Sequence, residues 1–416
     1  MIAAELVVRD LASVATLAPG PVPRVGAAMS YLGIVEDGAV AVDRGRVVWV
    51  GPARRLSSEV RLRPGARYVD GQGGSAVPGF VDAHTHVLFA GDRADELSLR
   101  AAGATYAEIA RQGGGLFSTV RATRRASDDR LLHETEGRLR RMAAAGTTTV
   151  EVKSGYALDH LGELRLLRLV PRLARRTGLR LVPTYLGAHA VPPELRRRPD
   201  AYVRSIVERT LPAVVREGLA RFCDVFCEPG FFSVARSERI LRAARDLGLG
   251  LKVHADEFVA SGGARLAARL RATSADHLLA TPPGDRRRLA SAGVTAVVLP
   301  VTAFASAVRR SPARELVDEG VAVALGSDCS PNTWVEGIPG VLAAAVHGGR
   351  LTPAEALTAA TVNAAHALGL SDAGTIEAGR PADLAVFPVP SPSSLGYRFD
   401  MHPSVVLRQG KPVSPP

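Results

Sequence analysis

Short apolar runs alternating with arginine- and alanine-rich stretches set the rhythm of this chain between residues 71 and 377. Eight of these runs have the length and β-branched content of buried strands. They are Ala76 to Val87, Thr147 to Lys153, Arg180 to Gly187, Phe222 to Cys227, Leu249 to Ala255, Thr273 to Leu278, Val294 to Pro300 and Val321 to Gly326. Helical stretches intervene, for example Asp128 to Ala145, Ala201 to Glu217, Ser233 to Leu247 and Pro353 to Leu368. Strands alternating with helices are the sequence form of a parallel sheet. Eight such units over about 300 residues suit a closed α/β barrel of the TIM-like (β/α)8 type. An open doubly wound sheet is the alternative architecture.

The two ends of the chain have a different texture. Ala39 to Val42 and Val47 to Val50 flank a turn at Asp43 to Arg46, and this reads as a β-hairpin. Ala382 to Phe387 and Ser404 to Gly410 are similar runs between proline-rich breaks. Residues 1–70 and 378–416 are therefore expected to join in one small β-sandwich domain beside the barrel of residues 71–377.

Composition narrows the function classes. A hydrophobic share of 46% in 416 residues supports a sizeable core. With no apolar run of membrane-spanning length and no basic-then-apolar N-terminus, a cytoplasmic protein with no membrane association is expected. Cys223, Cys227 and Cys329 do not form a disulfide pattern and read as buried packing. The net charge of +11 comes almost entirely from arginine, with lysine only at 153, 252 and 411. The arginines are spread along helices without interleaved aromatics, so no nucleic-acid partner is expected. The positive field instead favours small anionic molecules. Gly113 to Gly115 lacks the Gly-Lys-Ser/Thr that a phosphate loop needs.

Candidate chemistry collects at strand ends. In His84-Thr-His86 the two imidazoles share one face of an extended strand, so both can reach one metal ion. Such a pair alone is a weak signal, because histidines at strand ends are common without a metal. Three further runs end in acids and histidines: His254-Ala-Asp-Glu257, Asp276-His277 and Asp328. The mouth of a barrel lies at the C-terminal ends of its strands. His84, His86, His254 and Asp328 would form a nitrogen-rich set with one carboxylate, suited to Zn or Fe. A cation there lowers the pKa of water toward ~7 and makes it a nucleophile. His277 could orient that water and, with Asp328, manage its proton, and Glu257 could deliver a proton to a leaving nitrogen. Asp256 and Asp276 read as supports for neighbouring groups.

The motifs Pro78-Gly-Phe-Val-Asp-Ala-His-Thr-His86, Phe89-Ala-Gly-Asp-Arg93, Gln112-Gly-Gly-Gly115, Val152-Lys-Ser-Gly-Tyr156, Leu186-Gly-Ala-His-Ala-Val-Pro-Pro193 and Asp224-Val-Phe-Cys-Glu228 resemble the amidohydrolase superfamily and, within it, the imidazolonepropionase family. The resemblance covers nearly the whole chain. It implies hydrolysis of the cyclic amide of 4-imidazolone-5-propanoate to N-formimidoyl-L-glutamate in histidine degradation. It also implies one divalent or trivalent metal per subunit, Zn or Fe, on His84, His86, His254 and Asp328. Substrate contacts from Arg93, Tyr156, His189 and Glu257 follow from it, and a homodimer is the expected assembly. Arginine's fork of donors suits a propanoate carboxylate. One segment departs from the family pattern: Ser330 stands where asparagine is common and Asn332 where glycine is common, in the Ser330 to Thr333 loop expected to touch substrate or product. A deaminase or lactam hydrolase acting on another anionic heterocycle is the enzyme alternative. A non-catalytic metal-binding or basic nucleic-acid-binding protein is the alternative from another class.

Overall fold

Both termini contribute to one mixed sheet. A computed structural model describes residues 1–103, 108–109, 113–306 and 310–413; Gln112 of the motifs above lies outside them. Strands β1 (Ile2–Ala15), β2 (Ile34–Asp43), β3 (Arg46–Pro52) and β4 (Val60–Pro78) are joined by β13 (Leu384–Phe387), β14 (Val405–Arg408) and β15 (Lys411–Pro412), in the order β15-β14-β13-β4-β1-β2-β3. The expected hairpin is present: Asp43 pairs with Arg46 around Arg44 and Gly45, both at positive φ, as a tight hairpin turn requires. The expected sandwich takes the form of this single sheet curled on itself. Val47 of β3 donates to Arg380 O at 2.9 Å and Ala382 donates to Gly45 O at 2.9 Å. Val47 and Leu407, from opposite ends of the strand order, thereby share one apolar cluster.

The barrel begins where β4 ends. Gly79 separates β4 from β5 (Phe80–Asp82), and β6 (Thr147–Lys153), β7 (Arg180–Ala188), β8 (Phe222–Cys227), β9 (Gly250–Ala255), β10 (Ser274–His277), β11 (Thr295–Val298) and β12 (Val323–Leu325) follow in sequence order. Every neighbouring pair of these strands is parallel. Closure from β12 to β5 uses the residues just beyond the strand ends. Asp328 N–H donates to His84 O at 3.0 Å and His86 N–H to Cys329 O at 3.0 Å. Gly326 permits that approach, since an added Cβ would lie 2.7 Å from His84 Cβ. Almost all barrel-strand residues are buried, because helices cover the outside and side chains fill the inside.

One expected helix is broken in two. Pro353–Ala359, begun by a capping box at Thr352 and Glu355, is separate from Val362–Ala367. Between them the Ala360 carbonyl accepts the N–H of Val81 in β5 at 2.9 Å, which diverts it from the helical ladder. The second of these helices also ties in the segment between β1 and β2. Asn363 accepts the Arg24 N–H at 2.8 Å and donates to Arg24 O and Val323 O, each at 2.9 Å.

Asn363 is fully buried, so its removal strands several backbone groups. Asn363→Ala is expected to cost about 2–3 kcal/mol, read as a lower urea midpoint with an unchanged slope.

Candidate active site

Three imidazoles meet at the floor of the barrel mouth. His84 and His86 follow β5, His254 lies in β9, and all three are at most 4% exposed. His84 Nε2 lies 3.2 Å from His86 Nε2, which lies 3.2 Å from His254 Nε2. Asp328 Oδ1 stands 3.6 Å from both His84 Nε2 and His86 Nε2. In His84 and His254 the other ring nitrogen faces a carboxylate, whereas His86 Nδ1 has no hydrogen-bond partner among the described residues. His84 Nδ1 faces Asp276 Oδ2 at 2.6 Å, and His254 Nδ1 lies 3.0 Å from Asp224 Oδ2 in a contact bent away from hydrogen-bond linearity. A carboxylate partner places the proton on Nδ1 and leaves a lone pair on Nε2. Burial first, then repulsion from Lys153 and neighbouring imidazoles, holds His84 well below the usual imidazole pKa; burial and His189 do the same to His86. Converging ring nitrogens repel unless a cation sits between them. The donor set therefore fits a metal ion, with nitrogen and carboxylate ligands of the kind Zn or Fe accepts.

Beneath these rings lies a buried ionic cluster. Lys153 Nζ is 2.7 Å from Asp224 Oδ2, 2.9 Å from Glu151 Oε2 and 3.7 Å from Asp276 Oδ2. Burial opposes the ammonium, but the three carboxylates outweigh it and raise the Lys153 pKa. Lys252 Nζ adds a second charge, 3.3 Å from Glu151 Oε1.

The remaining acid and base candidates arrive on turned strand ends. His277 and Asp328 both have left-handed backbones, φ 71° and 54°, costly for non-glycine residues and characteristic of functional sites. Burial pushes Asp328 up to about 6 against the hydrogen bond it accepts from Thr302 Oγ1 at 2.8 Å. His277 Nε2 is 3.8 Å from Glu257 Oε2. Burial, then the negative charges of Asp328 and Glu228, lifts Glu257 well above the carboxylate range, while burial lowers His277. A carboxyl biased toward its protonated form thus stands next to an imidazole biased toward its neutral one.

These side chains open on a cavity of about 80 Å³. His86, His254, Asp328, Glu257 and His277 line it, together with Arg93, Tyr156, His189, Ser330 and Asn332. Arg93 Nε and Nη2 donate to Glu96 Oε2 at 2.9 and 2.7 Å, so the guanidinium is held from behind by an acid. His189 stacks on His86 with ring centroids 4.9 Å apart, and its Nδ1 faces Gly155 O at 3.1 Å. Burial lowers His189 to about 3, so it is neutral with Nε2 as an acceptor. Two expected residues lie outside the lining. His84 sits in the floor, and Thr333 is buried behind Asp328, its hydroxyl 3.4 Å from that of Thr302. Ser330 N–H donates to Thr333 O at 3.0 Å and closes the loop, and Asn332 is not among the positive-φ residues, so this position carries no left-handed strain.

Residues 75–413 match the model of the amidohydrolase family. The chain belongs to that family. Among curated members, the chain is similar to the imidazolonepropionase of Symbiobacterium thermophilum, 47% identical over 95% of this chain and 94% of that one. The imidazolonepropionase of Geobacillus kaustophilus is 44% identical over 98% and 97%. Solved structures share the amidohydrolase fold at lower identity. An adenosine deaminase from Xanthomonas campestris with bound zinc superimposes with a TM-score of 0.73 at 22% identity, covering 99% of this chain and 93% of the other. The atrazine chlorohydrolase TrzN from Arthrobacter aurescens, complexed with zinc, gives 0.71 at 19%, covering 98% and 94%.

Sequence reasoning missed much of the amidohydrolase site's support. Phe226, Phe231, Phe258 and Leu116 complete the cavity wall, and Thr302 orients Asp328. Lys153 and Asp224 were visible only as parts of motifs, with no spacing rule to mark them as partners. Asp276→Asn removes the charge that sets the His84 tautomer. It is expected to weaken zinc binding about 10- to 100-fold, measured by competition with a chromogenic chelator.

Proposed function

We propose that this chain hydrolyses the ring amide of 4-imidazolone-5-propanoate to N-formimidoyl-L-glutamate, the imidazolonepropionase step of histidine degradation, as a cytoplasmic homodimer. The observation that carries this reading is one cavity lined by a cationic anchor, two neutral ring contacts and a proton donor–acceptor pair, directly above the converging imidazoles. A single ion, Zn or Fe, on His84, His86, His254 and Asp328 would supply Lewis-acid activation of water and of the ring carbonyl.

The protein's own groups do the rest. Arg93 binds the propanoate carboxylate, its geometry fixed by Glu96. His189 accepts from a ring N–H through Nε2, and Tyr156 hydrogen-bonds beside it, their ring centroids 5.3 Å apart. His277, kept neutral by burial, takes a proton from the attacking water. Glu257, kept protonated by burial and by its negative neighbours, gives its proton to the departing ring nitrogen. Oxygen thereby joins the carbonyl carbon, the carbon–nitrogen bond breaks, and the nitrogen leaves protonated. Ser330 and Asn332 line the cavity, with Thr333 holding the loop from behind.

A nucleic-acid partner is disfavoured by the state of the helix arginines. Arg140, Arg168, Arg236 and Arg242 are paired with Glu136, Glu217, Asp200 and Glu238 within 2.8 Å. No helix among the described residues is long and apolar enough to cross a membrane.

The test is consumption of 4-imidazolone-5-propanoate by the metal-loaded protein, with product identified by mass spectrometry. His277→Ala and Glu257→Ala are each expected to lower kcat about 10²-fold or more while leaving bound metal unchanged. Full activity with either change would remove that residue from the mechanism, and no turnover by the unmodified protein would remove the substrate.

A further inference from the structure

Two buried carboxylates outside the cavity lining each hold one segment of the mouth, the first carrying Tyr156 and the second Glu257. Glu163, in the first turn of the helix His160–Thr177, lies beneath the segment that follows β6. Its Oε2 accepts the Gly155 N–H at 2.8 Å, and its Oε1 accepts those of Ala157 at 2.9 Å and Leu158 at 2.8 Å. That segment carries Tyr156, and its Gly155 carbonyl orients His189. The segment is tightly turned, with φ 104° at Gly155 and 55° at Leu158. A Cβ on Gly155 would lie 2.8 Å from Leu186 O. Such a conformation persists only if the surroundings over-determine it, and three backbone donors converging on one carboxylate do so.

Glu228, directly after β8, repeats the device for the segment that follows the adjacent strand β9. Its Oε2 accepts the Glu257 N–H at 3.1 Å and its Oε1 the Val259 N–H at 2.9 Å. The segment it holds presents Glu257 to the cavity. Glu163 and Glu228 are 1% and 2% exposed, so neither can exchange its backbone donors for water without moving.

We infer that Glu163 and Glu228 are positioning residues that separate binding from chemistry: Glu163 holds Tyr156 and His189 for substrate, and Glu228 holds Glu257 for proton transfer. The inference rests on the function proposed above. Replacing either carboxylate by a carboxamide sets an NH₂ group against a backbone N–H, and the segment must retreat. A displacement of about 1 Å in a group that orients a reaction is enough to cost about 10²-fold. The displaced groups differ, so the two kinetic constants should respond differently.

Steady-state kinetics of the zinc-loaded Glu163→Gln and Glu228→Gln proteins read this split, with backbone hydrogen exchange followed by mass spectrometry on the same samples. Glu163→Gln is expected to raise KM about 10-fold with kcat within about 3-fold, and Glu228→Gln to lower kcat about 10-fold with KM within about 3-fold. Metal content should match the unmodified protein in both. Exchange should quicken at residues 155–158 in the first and at 257–259 in the second, each without the other. The same pattern of KM and kcat in both variants, or exchange that quickens throughout the barrel, overturns the inference in favour of general loosening. If the unmodified protein does not open the imidazolone ring, the proposed function falls, and the exchange pattern alone decides whether the two carboxylates are separate anchors. Should a Gln variant fail to fold, Glu163→Asp and Glu228→Asp, which keep the charge but retract it, are expected to give the same split at smaller amplitude; its absence there overturns the inference.

Discussion

The site depends on a lysine buried where an isolated ammonium could not remain charged. Lys153 is fully enclosed by the barrel, and Asp224, Glu151 and Asp276 keep its proton on. The dependence runs both ways. Burial opposes ionisation of both Asp224 and Asp276. At Asp224 the charges of His254 and Lys153 outweigh it and hold the carboxyl well below the usual range, whereas at Asp276 burial prevails over Lys252 and Lys153. The two acids face His254 Nδ1 and His84 Nδ1. A buried ionic cluster of this type adds little net stability, since desolvation consumes most of the attraction. What it supplies is geometry: removing one member strands the others, so the set holds one arrangement.

Above that fixed floor the mouth is built from loops, and loops need anchors. Glu96 grips the Arg93 guanidinium and the Gly115 N–H, Glu163 gathers the donors around Tyr156, and Glu228 gathers those around Glu257. Asp256 does likewise for the turn after β9, accepting from Ser261, Gly262 and Gly263 at 3.0 to 3.1 Å. Each anchor is an acid whose ionised form accepts several N–H groups at once, which a neutral side chain cannot match. The division of labour is physical. Parallel strands place the histidines by backbone register, and carboxylates place the loop residues by side-chain bonds.

Much of this was legible in the chain. Each of the eight barrel runs contains a barrel strand, because period, length and β-branched content are local properties. The first, Ala76 to Val87, is divided at Gly79 between β4 of the terminal sheet and β5, and His84 and His86 lie just beyond β5. The grouping of His84, His86, His254, His277 and Asp328 followed from strand order alone, since every parallel strand delivers its C-terminal residue to the same rim. Other features depended on partners far away in sequence. The break after Ala359 reflects a carbonyl taken by Val81, and the curled terminal sheet reflects contacts between residues 45–47 and 379–382. Thr333, expected at the substrate, is turned inward because its backbone closes the loop with Ser330.

By itself, then, the sequence determined the barrel, its rim chemistry and the family, since each is written in local pattern and in motif identity. Tertiary structure alone decided which acids serve which groups. Asp276 and Asp224 look alike in the chain, but Asp276 stands opposite His254 in register and reaches His84 beyond β5, while Asp224 stands opposite Lys252 and reaches His254. Glu163, on a helix, and Glu228, at a strand end, perform one task from unrelated local settings. Only closure of the barrel brings residue 84 against residue 328 and sets the lone pairs of the rings face to face. That convergence is a property of distances across the fold, on which no local pattern carries information.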